Sequence, residues 1–346
     1  MTVTRRELIN YAVTGAVVST ASRFSFAQKS GVIKPNRLES GMTVGLVSPA
    51  SNAEEDEDIL ASIEFVKSLG FEAKASPNLF ARNQYLAGTD QQRAQDLNVF
   101  FADPEIDAIF CTRGGYGAPR ILPYLDYEII AANPKVFMGY SDITALLNAI
   151  QVKTGLVTYH GPMAFENFTD YTLEQFEKVL LSPQKLVDIG EPPNFESGPG
   201  RVNRENRVTR ISAGIAEGRL IGGNLSLLVT LLGTEYEPDF EGAILFLEDV
   251  YEPPYSIDRM LTHLWLAGKL EQVAGIAFGK FTNASYGSNT FSVEEVIRAR
   301  CENLEIPVLK GFMIGHTQDQ TVVPLGLTAR LDADEGKLTL LEMAVV

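Results

Sequence analysis

The chain is poor in the residues from which cross-links and metal centres are built. Among its 346 residues there are 2 cysteines, 3 histidines and 1 tryptophan. Cys111 and Cys301 stand far apart in sequence, which is no disulfide framework. The histidines and cysteines lack the paired spacing of a structural zinc site, so neither a metal nor a cofactor is expected. Cys111 ends the mostly apolar run from Ile106 and reads as a buried small hydrophobe. Basic residues are the minority, 29 Lys and Arg against 44 Asp and Glu, for a formal charge of −15. A nucleic-acid partner would need a basic face, and no basic stretch exists to make one. No stretch beyond the N-terminal segment approaches the roughly 18 consecutive apolar residues of a membrane span. What is present is a globular balance, 45% hydrophobic and 21% charged, in a chain long enough for two domains of ordinary size.

Residues 1–27 are of another kind. Thr4-Arg5-Arg6-Glu7 precedes an uncharged, moderately apolar run from Tyr11 to Ala21, and Ser25-Phe26-Ala27 places small residues three and one before a cut. That layout is a twin-arginine export signal, and it predicts a periplasmic protein whose fold begins after the signal.

Thr43 to Val47 reads as a buried strand and Ser48 to Ser51 as a turn. Ser51 or Asn52 is expected to cap a helix with Ile59, Leu60, Ile63 and Val66 on one stripe. Phe71 to Ala75, Ala108 to Cys111 and Val136 to Met138 read as further strands, and Asp90 to Phe101, Pro119 to Leu125 and Ile143 to Val152 as helices. Strands separated by helices predict an α/β domain over residues 33–181, a doubly wound parallel sheet with ligands at the carboxyl ends of its strands. Ser48, Arg113 to Gly117 and Ser141 all fall at such ends. Residues 182–208, rich in Pro, Gly and charge, read as a linker. Residues 209–346 mix strands (243–248, 273–278, short ones near Val308, Val322 and 338–341) with helices (226–232, 257–267, 293–303). This predicts an α+β domain with a partly closed sheet.

Ser141 sits where an apolar run meets a helical one, at a turn able to hold a hydroxyl out of the core. A serine becomes a nucleophile only with a base, an acid to orient that base, and amides to receive an oxyanion. His316, in the loop-like Gly311 to Thr317, is the candidate base; His263 lies in a helical run, and His160, before Gly161-Pro162, is assigned to a substrate contact. Glu248, Asp249 and Glu252 compete as the acid, and strand alternation puts Glu248 and Asp249 on opposite faces. The amide of Asp142 and that of Gly114 or Gly115 are the expected oxyanion donors, glycine letting a backbone approach a substrate closely. Arg113 is the candidate for a substrate carboxylate. The order Ser, acid, His is also that of α/β-hydrolase esterases, but Ile143 occupies the second glycine position of their G-x-S-x-G elbow.

An ordered set of short stretches resembles the LD-carboxypeptidase family of serine peptidases, which also contains the microcin C self-immunity peptidases. The stretches are Val44 to Ala50, Tyr85 to Asp90 with Arg93, Arg113-Gly-Gly-Tyr-Gly117, Gly139-Tyr-Ser-Asp-Ile-Thr144, His160-Gly-Pro162, Gly222-Gly-Asn-Leu225, Leu247-Glu-Asp249 with Tyr255 and Ile257-Asp-Arg259, and Gly315-His316. The resemblance implies Ser141 as nucleophile, Glu248 as orienting acid, His316 as base, a cleft between two domains, and a homodimer. It further implies a serine carboxypeptidase cutting the L,D amide bond before the C-terminal D-alanine of murein tetrapeptides. The alternatives are a microcin C-type acyl-sulfamoyl-adenylate peptidase with the same triad and, from another class, an exported non-catalytic solute-binding protein.

Overall fold

Apolar runs at 43–47, 108–111 and 136–139 become the buried strands around which the first half is built. The computed structural model describes residues 31–284, 287 and 290–346; the export segment expected at 1–27 lies outside them. Strands β1 (Thr43–Val47), β2 (Glu72–Ala75), β3 (Ala108–Cys111), β4 (Val136–Gly139) and β5 (Thr158–His160) alternate with helices α1 (Asp56–Ser68), α2 (Asp90–Ala102), α3 (Tyr127–Ala132) and α4 (Thr144–Thr154). A short α5 (Asp170–Phe176) follows. The start of α2 is specified locally: Thr89 Oγ1 accepts from the Gln92 amide at 3.2 Å while Gln92 Oε1 accepts from the Thr89 amide at 2.9 Å, a reciprocal capping box.

The expected cap of α1 is corrected. The helix begins after Glu55, whose amide donates to Asp58 Oδ2 at 3.2 Å. Ser51 and Asn52 serve the glycine turn instead: Ser51 Oγ accepts from the Tyr116 amide at 3.1 Å, and the Asn52 carbonyl accepts from Arg113 Nη1 at 3.0 Å. The run expected as a helix from Pro119 is a tighter 3₁₀ helix, Ala118–Tyr124.

The second half contributes β6 (Val187–Asp188), β7 (Thr209–Ser212), β8 (Ile215–Asn224), β9 (Ile244–Val250), β10 (Gly275–Thr282), β11 (Val308–Lys310), β12 (Val323–Leu325), β13 (Thr328–Asp332) and β14 (Lys337–Leu340). Its helices are α6 (Leu225–Thr230), α7 (Pro254–Leu266) and α8 (Val293–Cys301). The first sheet has the order β12-β5-β4-β3-β1-β2, and every pair in it is parallel except β12 with β5. The second has the order β6-β14-β13-β8-β9-β10-β11-β7, with a parallel centre of β8 to β11 and antiparallel flanks. Among the described residues its edge strands β6 and β7 do not pair with each other, so the sheet stays open there.

Two features place the site. Strand β12, late in the chain, returns to the first sheet and pairs with β5, Val323 opposite His160. Strand β9 is packed on both faces, and alternation divides its side chains: Ile244 and Phe246 join the core shared with the first sheet, while Leu245 and Leu247 join the core beneath α6, α7 and α8. By the same period Glu248 falls on the side of the first sheet and Asp249 on the far side.

Candidate active site

The nucleophile candidate stands on a strained turn. Strand β4 ends at Gly139, and Ser141 opens the 3₁₀ turn Ser141–Ile143 that runs into α4. Ser141 has φ +60°, a left-handed conformation that costs a residue with a side chain on the order of 1–3 kcal/mol and collects at functional sites. The core hydrophobes on either side are buried, while Ser141 is only partly covered. The turn holds its hydroxyl out of the interior.

The glycine turn after β3 packs against this elbow. A methyl built on Gly114 would lie 3.1 Å from Ser141 Cβ, 3.3 Å from the Asp142 amide nitrogen and 3.4 Å from Ser141 Oγ, so only glycine leaves this space open. Gly115, at φ +102°, packs on Ser51 in the same way. The Asp142 side chain, 2% exposed, accepts from the Ala118 amide at 2.6 Å and locks the elbow to the glycine turn. Burial pushes its carboxyl up to about 6. Arg93, 1% exposed, donates to the carbonyls of Pro49 at 2.5 Å and Gly117 at 2.9 Å, which explains an arginine in the middle of α2.

Glu248 and His316 meet. Glu248, fully buried, accepts at Oε2 from His316 Nδ1 at 2.7 Å and from the His316 amide at 3.3 Å. Gly315 makes this approach possible: at φ +103°, a methyl there would fall 2.3 Å from Glu248 Oε2. Burial works against charge on both groups, but each favours the other's ion, so the carboxyl of Glu248 is held below its ordinary range and the imidazole of His316 above its own. With Nδ1 donating to the carboxylate, Nε2 carries the lone pair, the tautomer a general base requires. Asp249 has a different task. Its carboxylate accepts from Ser226 N at 2.9 Å, Ser226 Oγ at 2.8 Å and Asn224 Nδ2 at 3.1 Å, fixing the start of α6.

The elbow and the base loop converge through Tyr140, the residue before Ser141, whose ring lies edge-on to His316 with centroids 4.8 Å apart. Among the described residues no hydrogen bond joins the Ser141 hydroxyl to the imidazole; such pairs often tighten only with substrate in place. A cleft of about 390 Å³ opens here, lined by Tyr140, Phe165, Glu166, Phe168, His316 and Gln320 among others. The Arg113 guanidinium stacks over Phe165 at 5.8 Å from the ring centroid.

His160 is a correction. It is 1% exposed and packed edge-on between Tyr140 and Phe246, at 5.8 Å and 5.3 Å, so no substrate can touch it. Burial lowers its pKa to about 4, which keeps it neutral. His263 is exposed on α7. Residues without a sequence signal include Glu166 and Gln320, which lie in segments with no periodicity. Tyr140 could have been suspected only from its place beside the serine.

The model of the LD-carboxypeptidase N-terminal domain matches residues 44–161, and that of the LD-carboxypeptidase C-terminal domain matches residues 217–331. The chain is 38% identical over 315 residues to the probable murein peptide carboxypeptidase of Bacillus subtilis, covering 90% of this chain and 95% of that one. It is 32% identical over 297 residues to the murein tetrapeptide carboxypeptidase of Pseudomonas aeruginosa, covering 84% and 93%. The structure of the microcin C7 self-immunity protein MccF, from Escherichia coli, in its wild-type apo state superposes with a TM-score of 0.81 at 31% identity, over 91% of this chain and 100% of that one. The two relatives named as carboxypeptidases are hydrolases, which leaves the solute-binding alternative without support. The chain belongs to the LD-carboxypeptidase family and is a serine peptidase.

Proposed function

We propose that the protein removes the C-terminal D-alanine from murein tetrapeptides by cutting the amide on the carbonyl side of an L-configured diamino acid centre. The observation that carries this reading is the buried Glu248 carboxylate bonded to His316 Nδ1 at 2.7 Å, with Tyr140, next in the chain to a serine held at φ +60°, packed on that imidazole. In it, His316 Nε2 takes the proton of Ser141 Oγ as the oxygen attacks the carbonyl carbon. The amides of Asp142 and of Gly114 or Gly115 receive the oxyanion. The imidazolium, stabilised by Glu248, gives its proton to the leaving D-alanine nitrogen, and water, deprotonated by the same imidazole, then clears the acyl-enzyme. Arg113 is the donor for the substrate carboxylate.

Mass spectrometry of a murein tetrapeptide incubated with the purified protein tests this directly. Loss of one D-alanine is expected with the native chain and not with Ser141→Ala. An intact peptide with the native chain would refute the reading. The TM-score of 0.81 to MccF favours a second reading, hydrolysis of acyl-sulfamoyl adenylates by the same triad; turnover of such a conjugate in preference to the peptide would select it.

The reading includes export to the periplasm, supported by Arg5-Arg6 and the apolar run from Tyr11 to Ala21, and a homodimer, supported by the family resemblance. Replacing both arginines by lysine should trap the precursor in the cytoplasm, and light scattering should return twice the mass of one chain.

A further inference from the structure

Glu166 is a carboxylate on the cleft wall that the hydrolysis does not use. One oxygen accepts from the Tyr140 hydroxyl and the other from Gln320 Nε2 at 3.1 Å. Both donors are neutral. Among the described residues Glu166 has no ion pair with any lysine, arginine or histidine, although acids elsewhere in the chain are paired with cations. Among these residues no cation touches the carboxylate; His316 favours its charge through space, but burial outweighs this and pushes its carboxyl up.

A glutamine could do the local structural work. Its carbonyl would accept from Tyr140, and its amide would meet Gln320 turned end for end, whose Oε1 is at present buried and unpartnered. The hydrogen bonds therefore do not require a charge. Arg113 lies next to the cleft, its guanidinium stacked over the cleft-lining Phe165 and its Nη1 donating to the Asn52 carbonyl. An anion on the cleft wall and a cation behind Phe165 suit a ligand that carries both signs.

We propose that Glu166 binds the free side-chain ammonium of the diamino acid whose amide is cut, which makes it a specificity-determining residue. The inference rests on the murein peptide reading. The contacting cation is the substrate's own, and it places the acyl side of the peptide against Glu166 and the leaving D-alanine toward Arg113.

The test is calorimetric binding to Ser141→Ala, which needs no turnover, using a tetrapeptide ending in a diamino acid and D-alanine and the same peptide acetylated on its side-chain amine. Acetylation should weaken binding by about tenfold or more, the range of a hydrogen bond to a charged group. Ser141→Ala/Glu166→Gln should bind both forms equally, each as weakly as Ser141→Ala binds the acetylated peptide. A double variant that loses the same factor on both peptides would make Glu166 only a brace for Tyr140. Retention of the preference, or failure of Ser141→Ala to bind either peptide, would also overturn the proposal. D-alanine release by the native chain reports separately on the reaction. Ammonium-selective binding without release would sink the hydrolysis and keep the Glu166 site; release indifferent to acetylation would do the reverse.

Discussion

At position 316 burial and a buried carboxylate pull the imidazole in opposite directions, and the carboxylate prevails. A general base must be neutral to accept a proton, so activity depends on the fraction of His316 that is deprotonated. Because the charged form is favoured, its pKa lies above the ordinary value of about 6.5, and kcat/KM should fall as pH drops through that raised value. Glu248→Gln removes the stabilising charge. The acidic limb should then move to lower pH, while the plateau of kcat falls by roughly 10⁴-fold, the cost of losing the acid that sets the tautomer. A pH–rate profile of both proteins checks this. An unmoved limb would mean that some other group titrates. His160, whose pKa burial lowers to about 4 and which is 1% exposed, does not supply that limb. At this scale the triad candidates were legible because few residues compete: with 3 histidines in the chain, chain order and a loop position go far. The choice of Glu248 over Asp249 was not legible from residue type. Alternation says that they part and the family resemblance picks Glu248; the packing of β9 between two cores gives the physical reason, by putting Glu248 on the side of the histidine. Glu166 carried no signal, since its meaning comes from Tyr140 and Gln320, neighbours in space only.

Among the elements, the loop from β11 to β12 sets the geometry of the base, and Gly315 is its tightest point. Gly315→Ala would put a methyl 2.3 Å from Glu248 Oε2 and force a left-handed φ on alanine. Either the loop or the carboxylate must shift, so activity should fall by about 100-fold or more, the scale expected when a catalytic group is misplaced by an ångström. The fold should be retained, because Phe312, Ile314 and Val322, through which this loop joins the core, are unchanged. Steady-state kinetics beside a near-ultraviolet dichroism spectrum would show it. A fully active variant would mean that the carboxylate and imidazole are not held as described. Strands β1, β3 and β4 of the first sheet were readable because each is a short apolar run closed by a turn, and buried parallel strands need nothing else. The start of α1 was misread for an instructive reason: Ser51 is a good cap by type, but the turn that Gly114 and Gly115 make offers its hydroxyl a better donor, the Tyr116 amide. Strand β8, running from Ile215 to Asn224, is absent from the strands read in the sequence. Its glycines lower strand propensity, yet Gly222 is needed where a methyl would lie 1.9 Å from the Phe246 carbonyl oxygen.

For the molecule as a whole, residues 31–346 form one compact unit, and one buried cluster runs from the first sheet through β8 and β9 to Leu338 and Leu340 on β14. The return of β12 to the first sheet has the same effect. This pairing was invisible in the sequence, where a short apolar run near Val322 reads as belonging with its neighbours; nothing local records which sheet completes it. Thermal unfolding should therefore show a single cooperative transition, and residues 31–181 expressed alone, without β12, should not fold. Calorimetry showing two separated transitions would contradict a continuous core.

The central claim is that Ser141 is an activated nucleophile and that His316, held by Glu248, activates it. A serine-directed fluorophosphonate, with the labelled peptide mapped by mass spectrometry, measures this most directly. One label per chain on Ser141, abolished in His316→Ala while that variant stays folded, is the predicted result; labelling at another serine, or labelling of Ser141 undiminished without His316, would contradict it.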